Sequence, residues 1–160
     1  MLLLSTSAAL RKAFHIKPVE ETLTVKTEDW YRFWSIDARV TYNGTEVMLF
    51  TNHETLYTFV ADAKQFKTAS DMIMYFAKRY SDMFHQHFGY NGRVQERLVV
   101  HKASDRRVIG VMNSYFHSID FYADDMNFED MEFQINRTPI VSRNIFPGDY
   151  LLKKLKEDRR

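Results

Sequence analysis

The chain has 160 residues, 45% hydrophobic and 15% aromatic, a formal net charge of +1 and no cysteine. That length suits one domain with ample material for a core, and the charge gives no global pull toward nucleic acid or an anionic membrane. Without cysteine, disulfides, thiol catalysis and Cys-ligated zinc or iron–sulfur sites are excluded.

The opening stretch Met1 to Leu10 has no basic region ahead of its apolar run Leu2–Leu4, so it does not read as a leader. No window approaches the roughly 18 apolar residues that span a bilayer. Five glycines and three prolines leave little room for linkers. The expectation is a single cytoplasmic domain over residues 1–160, with 153–160 a fraying basic tail.

Met1 to Leu4 reads as a short strand. Ser5 or Thr6 can cap a helix through Ala8, Leu10 and Phe14, and Lys17-Pro18 ends it. Trp30, Tyr31, Phe33 and Trp34 crowd four aromatics into five residues, as a lid over the core or a surface platform. The stretch from Ser35 to Ala61 reads as three strands. In the first, Ile36, Ala38, Val40 and Tyr42 alternate with polar residues. Asn43-Gly44 predicts a hairpin with a type I′ turn. Thr45 to Thr51 is apolar on both faces and is expected to be central. Asn52-His53-Glu54 turns the chain into a third strand, Leu56 to Ala61.

Thr68 or Ser70 starts an amphipathic helix whose stripe is Met72, Phe76, Tyr80, Met83, Phe84 and Phe88, with Gly89 or Asn91-Gly92 at its end. Leu98-Val99-Val100 reads as a further strand. Ser104 can cap a second helix that buries Val108, Ile109, Met112, Phe116 and Ile119. An acidic loop is expected from Asp124 to Glu132, and Phe133 to Ile135 fits strand or helix. A last helix starts at Pro147, the favoured first position. The predicted class is α+β: an antiparallel sheet with a central hairpin, covered mainly on one face by amphipathic helices.

Candidate chemistry is sparse. His85 and His87 are two residues apart, which on a helix points the rings away from each other. His53-Glu54 lacks the second histidine of a zinc-protease helix. His53 remains an acid–base candidate at a strand end. Arg106, Gly110, Asn113, His117 and Asp120 fall on one helical face and could bind a phosphate or position a proton donor. Gly110 is costly inside a helix and predicts close approach of a backbone or a bound group. The acidic run Asp120 to Glu132 lacks the ligand spacing of a calcium loop, but could contact a basic partner. Trp30, Trp34, Arg106, Arg107, Lys153 and Lys154 are the partner-binding candidates, the aromatics as stacking surfaces and the cations as phosphate contacts. No phosphate loop, dinucleotide fingerprint or nucleophile elbow occurs. No cofactor and no metal are expected.

Several segments taken together carry a resemblance: Leu10-Arg11-Lys12, the Trp34 to Ala38 strand, Val47 to Asn52 with Thr55 and Tyr57, Ser104 to Asn113, and Asn136-Arg137-Thr138-Pro139. In these the chain resembles an uncharacterised bacterial family, domain of unknown function 6933. The resemblance implies a bacterial or phage protein, some relatives lying on mobile elements, and supplies no substrate or catalytic residue. The expectation is a non-enzymatic binding or regulatory domain acting through a protein or nucleic-acid partner, with self-association as a further possibility. The alternative is a small hydrolase or nuclease using His117, Asn113 and Arg106, with His53.

Overall fold

The computed structural model describes residues 2–18, 27–88, 98–102, 105–122, 124–140 and 144–158. The predicted strand at the N-terminus is β1 (Leu2–Thr6), followed by α1 (Ala8–Ala13), β2 (Phe33–Val40), β3 (Glu46–Asn52) and β4 (Thr58–Asp62). Then come α2 (Ala69–Phe88), β5 (Leu98–Lys102), α3 (Arg106–Tyr122), α4 (Phe128–Arg137) and α5 (Pro147–Glu157). The class is α+β.

The sheet has five strands in the order β4-β3-β2-β1-β5. The β2–β3–β4 meander is antiparallel, and β3 is an inner strand as expected. The antiparallel expectation fails at β1, which pairs parallel with both β2 and β5. Leu2, Leu3 and Leu4 are all buried. A continuous apolar run is what a strand covered on both faces needs.

The Asn43-Gly44 hairpin forms with a different turn. Gly44 takes φ +86° and Asn43 is not in the left-handed region. The Gly44 N–H donates to the Thr41 carbonyl at 2.9 Å, and the Thr41 N–H to the Thr45 carbonyl at 2.7 Å. This is a three-residue loop, a type I turn followed by a left-handed glycine. The Thr41 hydroxyl also bonds the Asn43 side chain, which holds Asn43 in the right-handed region.

Helices cover both sheet faces, not mainly one. On one face Trp34, Ile36, Met48, Phe50 and Phe59 meet Met72, Phe76, Tyr80 and Phe84 of α2 and Leu151 and Leu155 of α5. On the other, Val47, Leu49, Leu56 and Val60 meet α3 and α4. Trp34 is fully buried, stacked on Phe59 at 4.9 Å, and Trp30 is 5% exposed. The aromatic run is therefore core and offers no stacking platform. An indole buries too much apolar area to be left in water when a sheet lies beneath it.

The helix starts follow local chemistry. Ser7, rather than Ser5 or Thr6, caps α1 by accepting from the Leu10 N–H, because Ser5 and Thr6 belong to β1. Thr68 and Asp71 exchange side-chain and backbone hydrogen bonds ahead of α2, a reciprocal cap. Asp105 caps α3, accepting from Arg107 N–H at 3.0 Å. Ser104, the side chains of His85 and His87, and the proposed stops Gly89 and Asn91-Gly92 lie outside the described residues. The acidic stretch is only partly a loop. Asn127 caps α4 through the Asp130 N–H, and Glu129 and Asp130 occupy the first turn, where the helix dipole favours negative charge. Phe133 to Ile135 is accordingly helix.

One arrangement fixes α4. Asn136 is buried and brackets β4 like a neighbouring strand: the Thr58 N–H donates to its Oδ1 at 2.9 Å, and its Nδ2 donates to the Thr58 carbonyl at 2.8 Å. One turn earlier, Glu132 Oε1 accepts from the Val60 N–H at 2.8 Å. Replacing Asn136 by Ala strands a buried donor and acceptor on Thr58. Urea unfolding should show a loss of ~2–4 kcal/mol, and a loss under ~1 kcal/mol would mean that water serves this edge equally well.

Candidate functional site

The candidates do not converge. Arg106, Asn113 and His117 lie on the exposed side of α3. Asn113 accepts from Arg39, His117 packs edge-on against Phe121 at 5.4 Å, and Asp120 accepts from the Tyr42 N–H at 3.0 Å. Gly110 faces open space, with nothing within 4 Å of a built Cβ, so the expected close approach is absent. The stripe thus ties α3 to β2 and the hairpin.

His53 lies elsewhere, at the end of β3. It is 6% exposed and stacks on Phe33 at 3.8 Å. Its Nε2 is 2.6 Å from Ser35 Oγ, and its Nδ1 is 3.5 Å from Asp105 Oδ2. Sequence reasoning missed Ser35 and Asp105, because one is mid-strand and the other reads only as a helix cap. Burial, opposed by Asp105 and reinforced by Arg107, lowers the His53 pKa from 6.5 to about 4. The imidazole is then neutral near pH 7. It accepts from the Ser35 hydroxyl at Nε2 and presents Nδ1–H to Asp105.

This is the order of a serine–histidine–carboxylate relay, but it is closed. Ser35 is 4% exposed and sits in register between Ser5 and Thr51. The first amides of α3 that could polarise a carbonyl are already held by Asp105. Arg107 donates to the His53 carbonyl at 2.8 Å. The group fastens the start of α3 to the β3–β4 turn. That turn is itself organised by buried Asn52, whose Oδ1 accepts from Glu54 N–H, Thr55 N–H and Thr55 Oγ1.

None of these residues lines the protein's main groove. A groove of about 940 Å³ runs between α2, α4 and α5. Its wall holds the Arg79–Glu132 ion pair at 2.6 Å, with Arg79 also 4.5 Å over the Phe59 ring. Burial would lower the Arg79 pKa, but the hydrogen bond and charge of Glu132 outweigh it and raise it. Phe133 (61% exposed), Phe146 (45%) and Leu152 (54%) stand around the groove as exposed apolar side chains, the Arg137 guanidinium lying 4.9 Å over the Phe133 ring. Asp82, Glu129, Asp130 and Asp149 line it, all exposed and none paired among the described residues. A Cβ on Gly148 would come 3.1 Å from the Asn136 carbonyl, so glycine lets α5 sit close on α4.

The partner-binding candidates separate likewise. Trp30 donates from Nε1 to Asp158 at 2.6 Å. Lys154 lies 3.7 Å from Glu54, and Arg107 is engaged as above. Only Arg106 and Lys153 stand exposed and unpaired among the described residues. No group of three or more metal-ligating side chains occurs there, and no helix there is long and apolar enough to cross a membrane.

Fold and site define an α+β domain with a closed polar latch at the β3–β4 turn and a groove of mixed apolar and charged lining between α2, α4 and α5. The chain belongs to the family described as a domain of unknown function (DUF6933), whose profile matches residues 3–150. No curated protein and no solved structure matches it.

The lowered His53 pKa gives a pH dependence with a definite sign. The unfolded chain binds the proton near 6.5 and the folded chain only near 4. Stability is therefore full above about 6.5 and lost as pH falls toward about 4, by roughly 3 kcal/mol at the lower limit. Chemical denaturation between those pH values should show this slope, and His53→Gln should flatten it. An equal slope in the variant would assign it to other groups.

Proposed function

We propose that this is a non-enzymatic binding domain that acts through a protein partner, with the α2–α4–α5 groove as its working surface. The observation that carries the reading is the set of three exposed apolar side chains, Phe133, Phe146 and Leu152, around a concavity about 940 Å³ in volume. Exposed apolar side chains grouped around a groove favour an interaction site over plain solvent surface. The unpaired carboxylates on the same rim favour a segment carrying cations beside its apolar side chains. They disfavour nucleic acid, which the buried Trp30 and Trp34 also cannot stack upon.

The test is capture from host extract with wild-type protein and a Phe133→Asp/Phe146→Asp variant, with and without nuclease. The wild type should retain a defined protein, insensitive to nuclease, and the variant should lose it by about tenfold or more. Equal retention by a folded variant would rule out the groove, and loss on nuclease treatment would redirect the reading to nucleic acid.

The alternative, a small hydrolase, draws support from the 2.6 Å Ser35–His53 contact rather than from the α3 stripe. A fluorophosphonate probe decides it. The burial of Ser35 predicts no adduct, whereas labelling that disappears in Ser35→Ala would establish a serine nucleophile.

A further inference from the structure

We infer that the groove side of α5 binds a second copy of this chain, the two α5 helices pairing antiparallel across a two-fold axis. The inference rests on the binding reading above and names the partner. Asp149, Leu152, Lys153 and Lys156 are spaced three, one and three apart, which places them on one face of α5. All four are exposed, and with exposed Glu157 they line a second, shallow groove of about 500 Å³. Leu152 and Asp149 also line the large groove, so the two concavities form one continuous surface.

The charge order on this face is self-complementary. An acid lies one turn before an exposed leucine and a base one turn after it. An antiparallel pair crossing between Leu152 and Lys153 sets Asp149 of each copy opposite the partner's Lys156 and brings the two Leu152 side chains together at the centre, with the long Lys153 side chains reaching outward past them and Glu157 opposite the partner's Gly148. A parallel pair would instead set lysine against lysine and aspartate against aspartate, so charge selects the antiparallel, isologous arrangement. The partner's α5 supplies the segment that the groove chemistry calls for, an apolar side chain flanked by cations. Two short helices bury less than the roughly 1,200 Å² of a standard interface, so the dimer is concentration-dependent.

Sedimentation velocity over a concentration series tests this on the full chain. The wild type should move from its 19.1 kDa monomer toward twice that mass. Lys156→Asp and Asp149→Lys each turn two attractive contacts repulsive and should weaken the dimer by about tenfold or more. Mixing the two variants restores both contacts in a heterodimer and should recover association. Because the chain has no cysteine, Leu152→Cys provides a single thiol, which a short bis-maleimide should link into dimers, while Ser114→Cys on α3 should not link. A chain monomeric throughout, or a dimer indifferent to both charge reversals, overturns the inference. If the Phe133→Asp/Phe146→Asp variant still loses a captured protein in that case, the binding reading survives without it.

Discussion

A sheet edge exposes backbone donors and acceptors that must find partners or invite another strand. At β4 two side chains of α4 supply those partners. Asn136 matches the Thr58 N–H and carbonyl with its own acceptor and donor, and Glu132 takes the Val60 N–H. An amide side chain can copy a backbone peptide because it carries both groups in one plane. Glu132 spends its second oxygen on Arg79 of α2, so closing the edge also ties α4 to the helix across the groove. The groove's position follows from this constraint. If α4 packed on β4 by apolar contact alone, it could slide; with directional bonds to alternate β4 residues it cannot.

The same economy operates in the turn that leads into β4. Asn52 organises the turn after β3, and Leu56 adopts a left-handed φ of 62° there, which costs a non-glycine residue roughly 1–2 kcal/mol. The turn tolerates this because Leu56 is fully buried against α3 and its carbonyl accepts from Tyr115 and Thr58. Beside it His53 is held by Ser35, Phe33 and Asp105. A relay-like order of side chains thus arises where a strand, a turn and a helix cap meet and each needs its polar atoms satisfied. Geometry of that kind becomes chemistry only when a substrate can reach it, and Ser35 has strand neighbours on both sides.

Much of the fold was legible because it is local. Period-two alternation marked β2, Asn43-Gly44 marked the hairpin, and Pro147 marked the start of α5. What was not legible depends on distant pairing. Nothing near Leu2–Leu4 says that it lies between β2 and β5, although its unbroken apolar run was a sign of burial on both faces. The acidic stretch misled because composition says loop, while one capping asparagine with acids in the first turn says helix. The turn type was missed because Asn-Gly fits more than one hairpin loop, and the Thr41 side chain decides among them. As for the site, His53 was visible as a lone histidine. Ser35 and Asp105 were not, being 18 and 52 residues away in sequence from His53. The groove was still less visible, since its apolar residues come from α4, the segment before α5, and α5 itself.

Charge is distributed differently on α3 and on the groove side. On α3 part of the polar stripe is spent internally, Asn113 on Arg39 and Asp120 on the hairpin backbone, while Arg106 stays exposed. On α4 and α5 the internal needs are met by Asn136, Glu132, Tyr150 and Lys154. This leaves Glu129, Asp130, Asp149, Lys153 and Lys156 without partners among the described residues. These unpaired acids and bases share one surface with the exposed side chains of Phe133, Phe146 and Leu152. Exposed apolar side chains also stand on the α3 side, at Tyr42 and Phe121, so what marks the groove side is that its apolar and unpaired charged side chains line a concavity.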